Sequence, residues 1–274
     1  VLIANPRDLK SFLKVLKKKK FTVMTAVNTL FNLLLTSKKF KELDFSEFKF
    51  SVGGGMAVMS ETAKNWKKVT GTNITQGYGL TETSPVVSIN KIDNPFNGSI
   101  GLPVQSTNIK IIDESGKYVD DEQPGELCVK GPQVMSGYWK YKDDQENPFT
   151  DDGFFKTGDI AAISKDGYLT IVDRKKDMII SSGYNVFPNE LEDFLSTHPD
   201  ILEAGVIGVP DKNRGEYIKV FIVKKNKNLS ETDVIMFCKE GLTEYKVPKK
   251  IIFIDDLPKT NVGKILRREL RNLG

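Results

Sequence analysis

A chain of 274 residues, 39% hydrophobic and 28% charged, holds enough apolar material for a sizeable core and reads as an ordinary globular protein of one or two domains. Its net charge of +4 is spread along the chain apart from lysines 17–20, and no interleaving of basic and aromatic residues points to nucleic acid. One histidine, His198, and two distant cysteines, Cys128 and Cys238, exclude a His/Cys metal centre and suit buried thiols in a reducing compartment; the apolar runs fall far short of a membrane span.

Residues 1–3 read as a short buried strand, and Asn5-Pro6-Arg7-Asp8 as a turn into an amphipathic helix over 9–18. Lysines 17–20 make a solvated helix end or a weak contact with anionic lipid or nucleotide. A strand over 21–26 and a helix over 28–35 follow, then a strand over 49–52 running into Gly53-Gly54-Gly55, and a helix over 57–69 with Met59, Ala63, Trp66 and Val69 as its core stripe. Strand and helix alternating at this spacing predict a parallel sheet. Three glycines after a strand allow either close approach by a ligand or a tight strand-to-helix turn.

The stretch Gln76-Gly77-Tyr78-Gly79-Leu80-Thr81-Glu82-Thr83 combines two glycines, an aromatic face, hydroxyls and a carboxylate. Such a loop suits a nucleotide: backbone close to the ligand, a ring beside a base, hydroxyls on phosphate, a carboxylate for Mg²⁺. An ordinary turn between strands is the alternative. From Gly98 onward, short strands over 109–112, 126–129, 161–163 and 168–172 alternate with Asp/Gly/Pro turns, predicting a small antiparallel barrel or curled sheet that serves as a wall carrying Thr157-Gly158-Asp159 as a loop toward a ligand. Beyond Asp173 the pattern turns mixed: strands over 178–180, 204–209, 217–223 and 250–253, with helices over 188–197, 231–239 and 265–271. His198 sits at a predicted helix end, where surface placement is the expectation.

Three further stretches fit nucleotide chemistry: Phe154-Phe155-Lys156-Thr157-Gly158-Asp159, the run Ile171-Val172-Asp173-Arg174-Lys175-Lys176-Asp177-Met178-Ile179, and Pro258-Lys259-Thr260-Asn261-Val262-Gly263-Lys264-Ile265-Leu266-Arg267-Arg268. With the Gly77–Glu82 stretch they resemble the adenylate-forming superfamily of acyl-CoA synthetases, peptide-synthetase adenylation domains and luciferases. Gly53-Gly54-Gly55-Met56-Ala57-Val58 and the run 172–193 look most like bacterial long-chain fatty-acid CoA ligases. No phosphate-binding loop of that family is present, and no Walker-type motif occurs, so the chain reads as the C-terminal half of a synthetase.

The resemblance implies an α/β and α+β architecture: the C-terminal part of a large AMP-binding domain over 1–173 (an α/β segment to 97, a barrel-like segment from 98), then a mobile α+β lid over 174–274. It implies activation of a fatty acid with ATP and Mg²⁺ to acyl-AMP, then transfer to coenzyme A. Alternatives are a fatty acyl-AMP ligase or carrier-protein acylating enzyme, and an inactive AMP-binding fragment. In these terms Tyr78 lies beside adenine with Gly54, Gly55, Gly77 and Gly79 close by, Thr81 meets the α-phosphate, and Glu82 holds Mg²⁺. Asp159 and Arg174 take the ribose, Lys176 is the hinge, and Gly183 in Ser182-Gly183-Tyr184 makes room for the pantetheine arm. Lys264 bridges carboxylate and phosphate during adenylation. Leu30 and Leu34 line the acyl pocket or pack in the core. The expected setting is the cytoplasm, with a peripheral contact at the inner face of a membrane, a homodimer and the missing N-terminal half as open partners.

Overall fold

The computed structural model describes residues 8–92, 94–120, 122–140, 147–212, 215–260 and 263–273. The strand expected over 1–3, the turn beginning at Asn5, and Asn261 and Val262 of the last motif lie outside them. Two compact units emerge: the described residues of Val1–Lys110, Cys128–Lys156 and Ile163–Thr170 form the first, and those of Ile111–Leu127, Thr157–Ala162 and Ile171–Gly274 form the second.

The first unit opens with α1 (Leu9–Lys18), whose N-terminus is capped where the Asp8 carboxylate accepts the Ser11 N–H at 3.0 Å. Lysines 17–20 are exposed as expected, and Lys20 reaches Glu47 at 3.1 Å. Next come β1 (Val23–Ala26), α2 (Asn28–Thr36), the short α3 (Lys38–Lys41), β2 (Phe50–Gly53), α4 (Ser60–Thr70), β3 (Ile74–Gly79), β4 (Val86–Ile89) and β5 (Leu102–Pro103). The sheet runs β1-β2-β3-β4-β5, with β1, β2 and β3 parallel and the last two pairings antiparallel. Phe31, Leu34, Phe40 and Trp66 are wholly buried between helices and sheet, and the Trp66 indole donates to Ser51 Oγ at 2.8 Å, so its N–H is satisfied within the core. Leu30 packs against this core.

Helix α4 starts at Ser60 rather than at the predicted Ala57. The N–H groups of Val58 and Met59 are taken by Gln76 Oε1 at 2.8 Å and Asn28 Oδ1 at 3.0 Å, which holds the preceding residues extended. Two side chains from distant elements thus override a local helical pattern.

Strands β6 (Asn108–Ile112), β7 (Gly125–Lys130), β8 (Phe155–Ile163) and β9 (Leu169–Arg174) form a four-stranded sheet in that order. The expected barrel does not close among the described residues. Leu169 on β9 pairs with Gly101, accepting from Ile100 N–H at 2.7 Å and donating to the Gly101 carbonyl at 2.9 Å, so that edge is occupied before it can meet β6.

The second unit adds β10 (Ile179–Ser181), β11 (Tyr184–Val186), α5 (Pro188–Ser196), β12 (Ile201–Asp211), β13 (Gly215–Lys224), α6 (Glu231–Gly241), β14 (Lys250–Ile254) and the short α7 (Arg267–Leu270). Strand β13 pairs antiparallel with β12 along its length and parallel with β14 on the other edge. Leu191, Leu195, Val206, Val220, Ile222 and Val234 are fully buried on one face of this sheet. Phe221, Leu257 and Leu270 pack on the opposite face. Helix α6 carries a reciprocal cap, Ser230 Oγ accepting from Asp233 N–H and the Asp233 carboxylate from Ser230 N–H. Helix α7 is shorter than predicted because Leu266 N–H bonds the Pro258 carbonyl at 2.8 Å and Ile265 bridges to Lys259, which ties those residues into a loop. His198 is half-buried rather than surface-exposed, edge-on to Phe237 at 4.9 Å, with Nδ1 accepting the Asp200 N–H at 3.1 Å.

Candidate functional site

In the first unit, the nucleotide-like stretch is not a loop throughout. Gln76, Gly77, Tyr78 and Gly79 are the last four residues of β3, and the turn begins at Leu80. Gln76 is buried and structural: beyond its bond from Val58, its amide donates to the Ser99 carbonyl at 3.0 Å and to that of Gly98 at 3.2 Å. Tyr78 is half-buried and pairs across the strand with Ser88. Gly54 and Gly77 come together, since a Cβ on Gly54 would lie 3.3 Å from the Gly77 carbonyl oxygen. Gly55 is exposed, in a left-handed conformation at φ 78°.

The strand ends at Gly79 because nothing larger fits: a Cβ there would sit 1.9 Å from the Pro85 carbonyl oxygen. Leu80 N–H bonds that same carbonyl at 3.0 Å, and the buried Thr83 hydroxyl donates to it at 2.6 Å while accepting from Leu80 N–H at 3.1 Å. The chain is thereby folded over a single turn of 3₁₀ helix, Thr81–Thr83, which leaves the Thr81 hydroxyl exposed and Glu82 half-buried. Glu82 Oε1 accepts the Tyr138 hydroxyl at 2.8 Å, and among the described residues Oε2 has no partner.

In the second unit, Thr157, Gly158 and Asp159 lie inside β8, not on a loop. Gly158 interrupts the strand at φ 72°, a conformation that glycine adopts without strain, and its N–H bonds Glu126 Oε1 at 3.2 Å. The Thr157 hydroxyl donates to the Leu127 carbonyl at 2.8 Å and accepts the Asp159 N–H at 3.1 Å. Asp159 is buried, and Arg174 Nε stands 3.4 Å from its Oδ1, so the structure brings these two predicted residues together. Lys176 is exposed in a second 3₁₀ turn, Lys175–Asp177.

That turn is flanked by acids the motif matching did not single out. Asp173 is wholly buried, its Oδ1 accepting the Arg174 N–H at 2.7 Å and its Oδ2 the Asn189 N–H at 2.7 Å. Arg267 reaches Asp173 Oδ1 from Nη1 at 3.2 Å, Glu192 from Nε at 3.2 Å and Nη2 at 2.8 Å, and Asn189 Oδ1 at 2.6 Å. Arg271 holds Asp177 at 2.9 Å. Burial raises the Asp173 and Glu192 carboxyls above their usual range, against the pull of Arg267. Burial also weighs against the Arg267 guanidinium, but Glu192 and Asp173 outweigh it and hold the proton more tightly than usual. The sequence signal for this network was the Arg267-Arg268 pair closing the last motif, visible as a match but not as a partner of residues far upstream.

Gly183 stands at the tip of the β10–β11 hairpin, where Ser182 at φ 54° and Gly183 at φ 82° make the two left-handed positions of a tight turn. Space around it is open, and the neighbouring Tyr184 stacks on Tyr245 at 4.4 Å. Lys264 is half-buried in a loop closed by Thr260, whose N–H bonds the Lys264 carbonyl at 2.7 Å and whose hydroxyl accepts the Lys264 N–H at 3.1 Å.

Known proteins resemble this chain along its whole length. The profile of the AMP-binding enzyme family matches residues 1–139, and that of the AMP-binding enzyme C-terminal domain matches residues 190–264. The long-chain-fatty-acid–CoA ligase of Escherichia coli O6:H1 is 52% identical over 273 residues, covering 99% of this chain and 48% of that protein. Its Bacillus subtilis namesake is 41% identical, over 94% of this chain and 46% of the relative. The chain therefore spans about half the length of the curated relatives it matches. Among solved structures, ATP-bound MatB from Rhodopseudomonas palustris superposes with a TM-score of 0.88 at 31% identity, over 98% of this chain and 53% of the other. The anthranilate CoA ligase AuaEII in complex with anthranoyl-AMP reaches 0.91 at 30% identity, over 100% of this chain and 54% of the other.

Proposed function

The chain belongs to the AMP-binding enzyme family, and from that premise we propose that the full-length protein couples a long-chain fatty acid to AMP and passes the acyl group to coenzyme A. Support for acid and acceptor comes from relatives named long-chain-fatty-acid–CoA ligase. The observation that carries the reading is the Thr81–Thr83 turn: an exposed hydroxyl and a carboxylate with one oxygen unpartnered among the described residues, two residues beyond a strand that ends on Tyr78 and Gly79.

A carboxylate is a poor acyl donor until its oxygen becomes a good leaving group, and joining it to AMP supplies one. Two anions must be brought together, so catalysis is positioning and charge neutralisation. Tyr78 offers a ring to adenine, with Gly54, Gly55, Gly77 and Gly79 keeping the approach clear. Asp159, steadied by Arg174, accepts from the ribose hydroxyls, and Thr81 donates to the α-phosphate. Among the described residues no three His, Cys, Asp or Glu side chains group as a metal site. Magnesium is commonly held by one or two carboxylates with phosphate oxygens and water completing its shell, and Glu82 fits that donor set. When bound, the ion would offset phosphate charge.

In this reading residues 174–274 act as a lid turning about Lys176, with Lys264 inward for adenylation and the Gly183 hairpin inward for thioester formation. No described helix is long and apolar enough to cross a membrane; a cytoplasmic enzyme with peripheral contact where fatty acids partition accords with the proposal. The test is palmitate-dependent pyrophosphate exchange and palmitoyl-CoA formation by the full-length protein. Lys264→Ala should abolish exchange yet spare thiolysis of supplied palmitoyl-AMP. Equal loss of both reactions would refute the division of labour, and no palmitate-dependent exchange in the parent would refute the substrate class.

A further inference from the structure

The segment from Gln133 to Tyr138 has no part in the reading above, yet it is fastened to the Thr81–Glu82 turn at two levels. The Met135 N–H bonds the Glu82 carbonyl at 2.8 Å, and the Tyr138 hydroxyl, 56 positions from Glu82 in sequence, donates to its carboxylate at 2.8 Å. Gln133 anchors the same segment, its amide donating to Thr107 Oγ1 at 2.7 Å and to the Val86 carbonyl at 3.3 Å. Tyr138 is 47% exposed, so its ring fills no core position, and its hydroxyl meets the turn at the Glu82 carboxylate.

We propose that Tyr138 is a positioning residue for Glu82, fixing the carboxylate so that Oε2 faces the cation while Oε1 is held; this rests on the reading of Glu82 as the magnesium carboxylate. The chemistry favours a phenol here. A neutral donor stabilises the charged carboxylate and fixes its rotamer without cancelling the charge that a divalent ion needs, whereas a lysine would compete with the ion. Groups that hold a metal ligand from behind commonly matter almost as much as the ligand. The hydroxyl and the main-chain bond from Met135 together fix side chain and backbone of one residue, which a single contact would not do.

The experiment compares ATP binding by calorimetry, with and without Mg²⁺, in the full-length protein and in its Tyr138→Phe, Glu82→Gln and double variants, with thermal unfolding of each. Magnesium should tighten ATP binding in the parent and not in Glu82→Gln. In Tyr138→Phe that tightening should fall about tenfold, the low end of what loss of an outer hydrogen bond to a metal-holding group costs, while binding of metal-free ATP and the unfolding temperature stay unchanged. In the Glu82→Gln background the Tyr138→Phe change should then have no effect. If Glu82→Gln keeps the magnesium effect, the reading of Glu82 fails. If Glu82→Gln loses it but Tyr138→Phe binds like the parent, or loses metal-free and metal-bound binding alike, the positioning role is overturned.

Discussion

Replacing Arg267 with Met removes the central cation from a buried ionic cluster of the second unit, and the outcome can be worked from its contacts. The Arg267 side chain is 14% exposed, against 0% for Asp173 and 5% for Glu192, so solvent cannot take over its role. Asp177 keeps Arg271, and so it is not orphaned. Asp173 retains two backbone N–H donors and Glu192 one, from Val206, but among the described residues neither keeps a positive partner. Leaving buried charge without its partner costs about 3–5 kcal/mol, even though a well-packed apolar replacement for a whole pair can be neutral. We therefore expect Arg267→Met to lower the stability of the second unit by about 3–5 kcal/mol near neutral pH, and Arg267→Met/Glu192→Leu to recover part of that loss. Hydrogen exchange at β12 and β13 amides in the full-length protein reads this directly.

The pH dependence supplies a second check. Both carboxyls have folded-state pKa values raised by burial. A raised acid pKa means that the folded state binds protons more tightly than the unfolded one. Its favourable contribution is thus complete below the unfolded pKa and lost as pH rises through the folded value. Without Arg267 the opposing charge is gone and that gap widens. The deficit of the variant should be greatest near neutral pH and shrink on acidification toward the ordinary carboxylate range. A deficit below about 1 kcal/mol, or one that grows on acidification, would show that the cluster is not electrostatically coupled as drawn.

Gly79→Ala should distort the Thr81–Thr83 turn, because its Cβ would fall 1.9 Å from a backbone oxygen; a cost of about 1–3 kcal/mol is expected, with ATP affinity lost by calorimetry, and parent-like affinity would contradict it. Asp159→Asn keeps the volume but not the charge beside Arg174; AMP affinity should fall about tenfold, as for loss of one charge-assisted hydrogen bond, and an unchanged affinity would remove Asp159 from the ribose. The buried Cys238 thiol is pushed up to about 11 by burial, so iodoacetamide should not label it at pH ~8 until the protein is unfolded; rapid labelling of the native protein would refute that. Gly183→Val should strain the hairpin, since φ is 82° there, and slow thioester formation while sparing pyrophosphate exchange; equal slowing of both steps would count against a role confined to the thiol.

Short-range information was enough for much of the fold. The alternation that predicted a parallel sheet is present as β1, β2 and β3, and α1 spans the predicted residues because Asp8 and a regular apolar stripe act within a few positions of one another. Where local pattern was read alone, it erred at points set by distant partners. Residues 57–59 look helical but are kept out of α4 by Gln76 and Asn28, and Thr157 to Asp159 look like a loop but are paired within β8; of the barrel or curled sheet expected beyond Gly98, an open four-stranded sheet forms among the described residues.

For the candidate site, the residue types and their motif order were legible in the amino-acid sequence, since the chemistry of a ring, a hydroxyl and a carboxylate does not depend on chain path. Only the tertiary structure decided which groups hold them. Tyr138 meets Glu82 across 56 positions, and Arg267 meets Asp173 across 94 and Glu192 across 75. Contacts at such separations follow from strand register and the route of the backbone through each unit. No window of neighbouring residues contains that information, because every residue between the two partners must first take its own place.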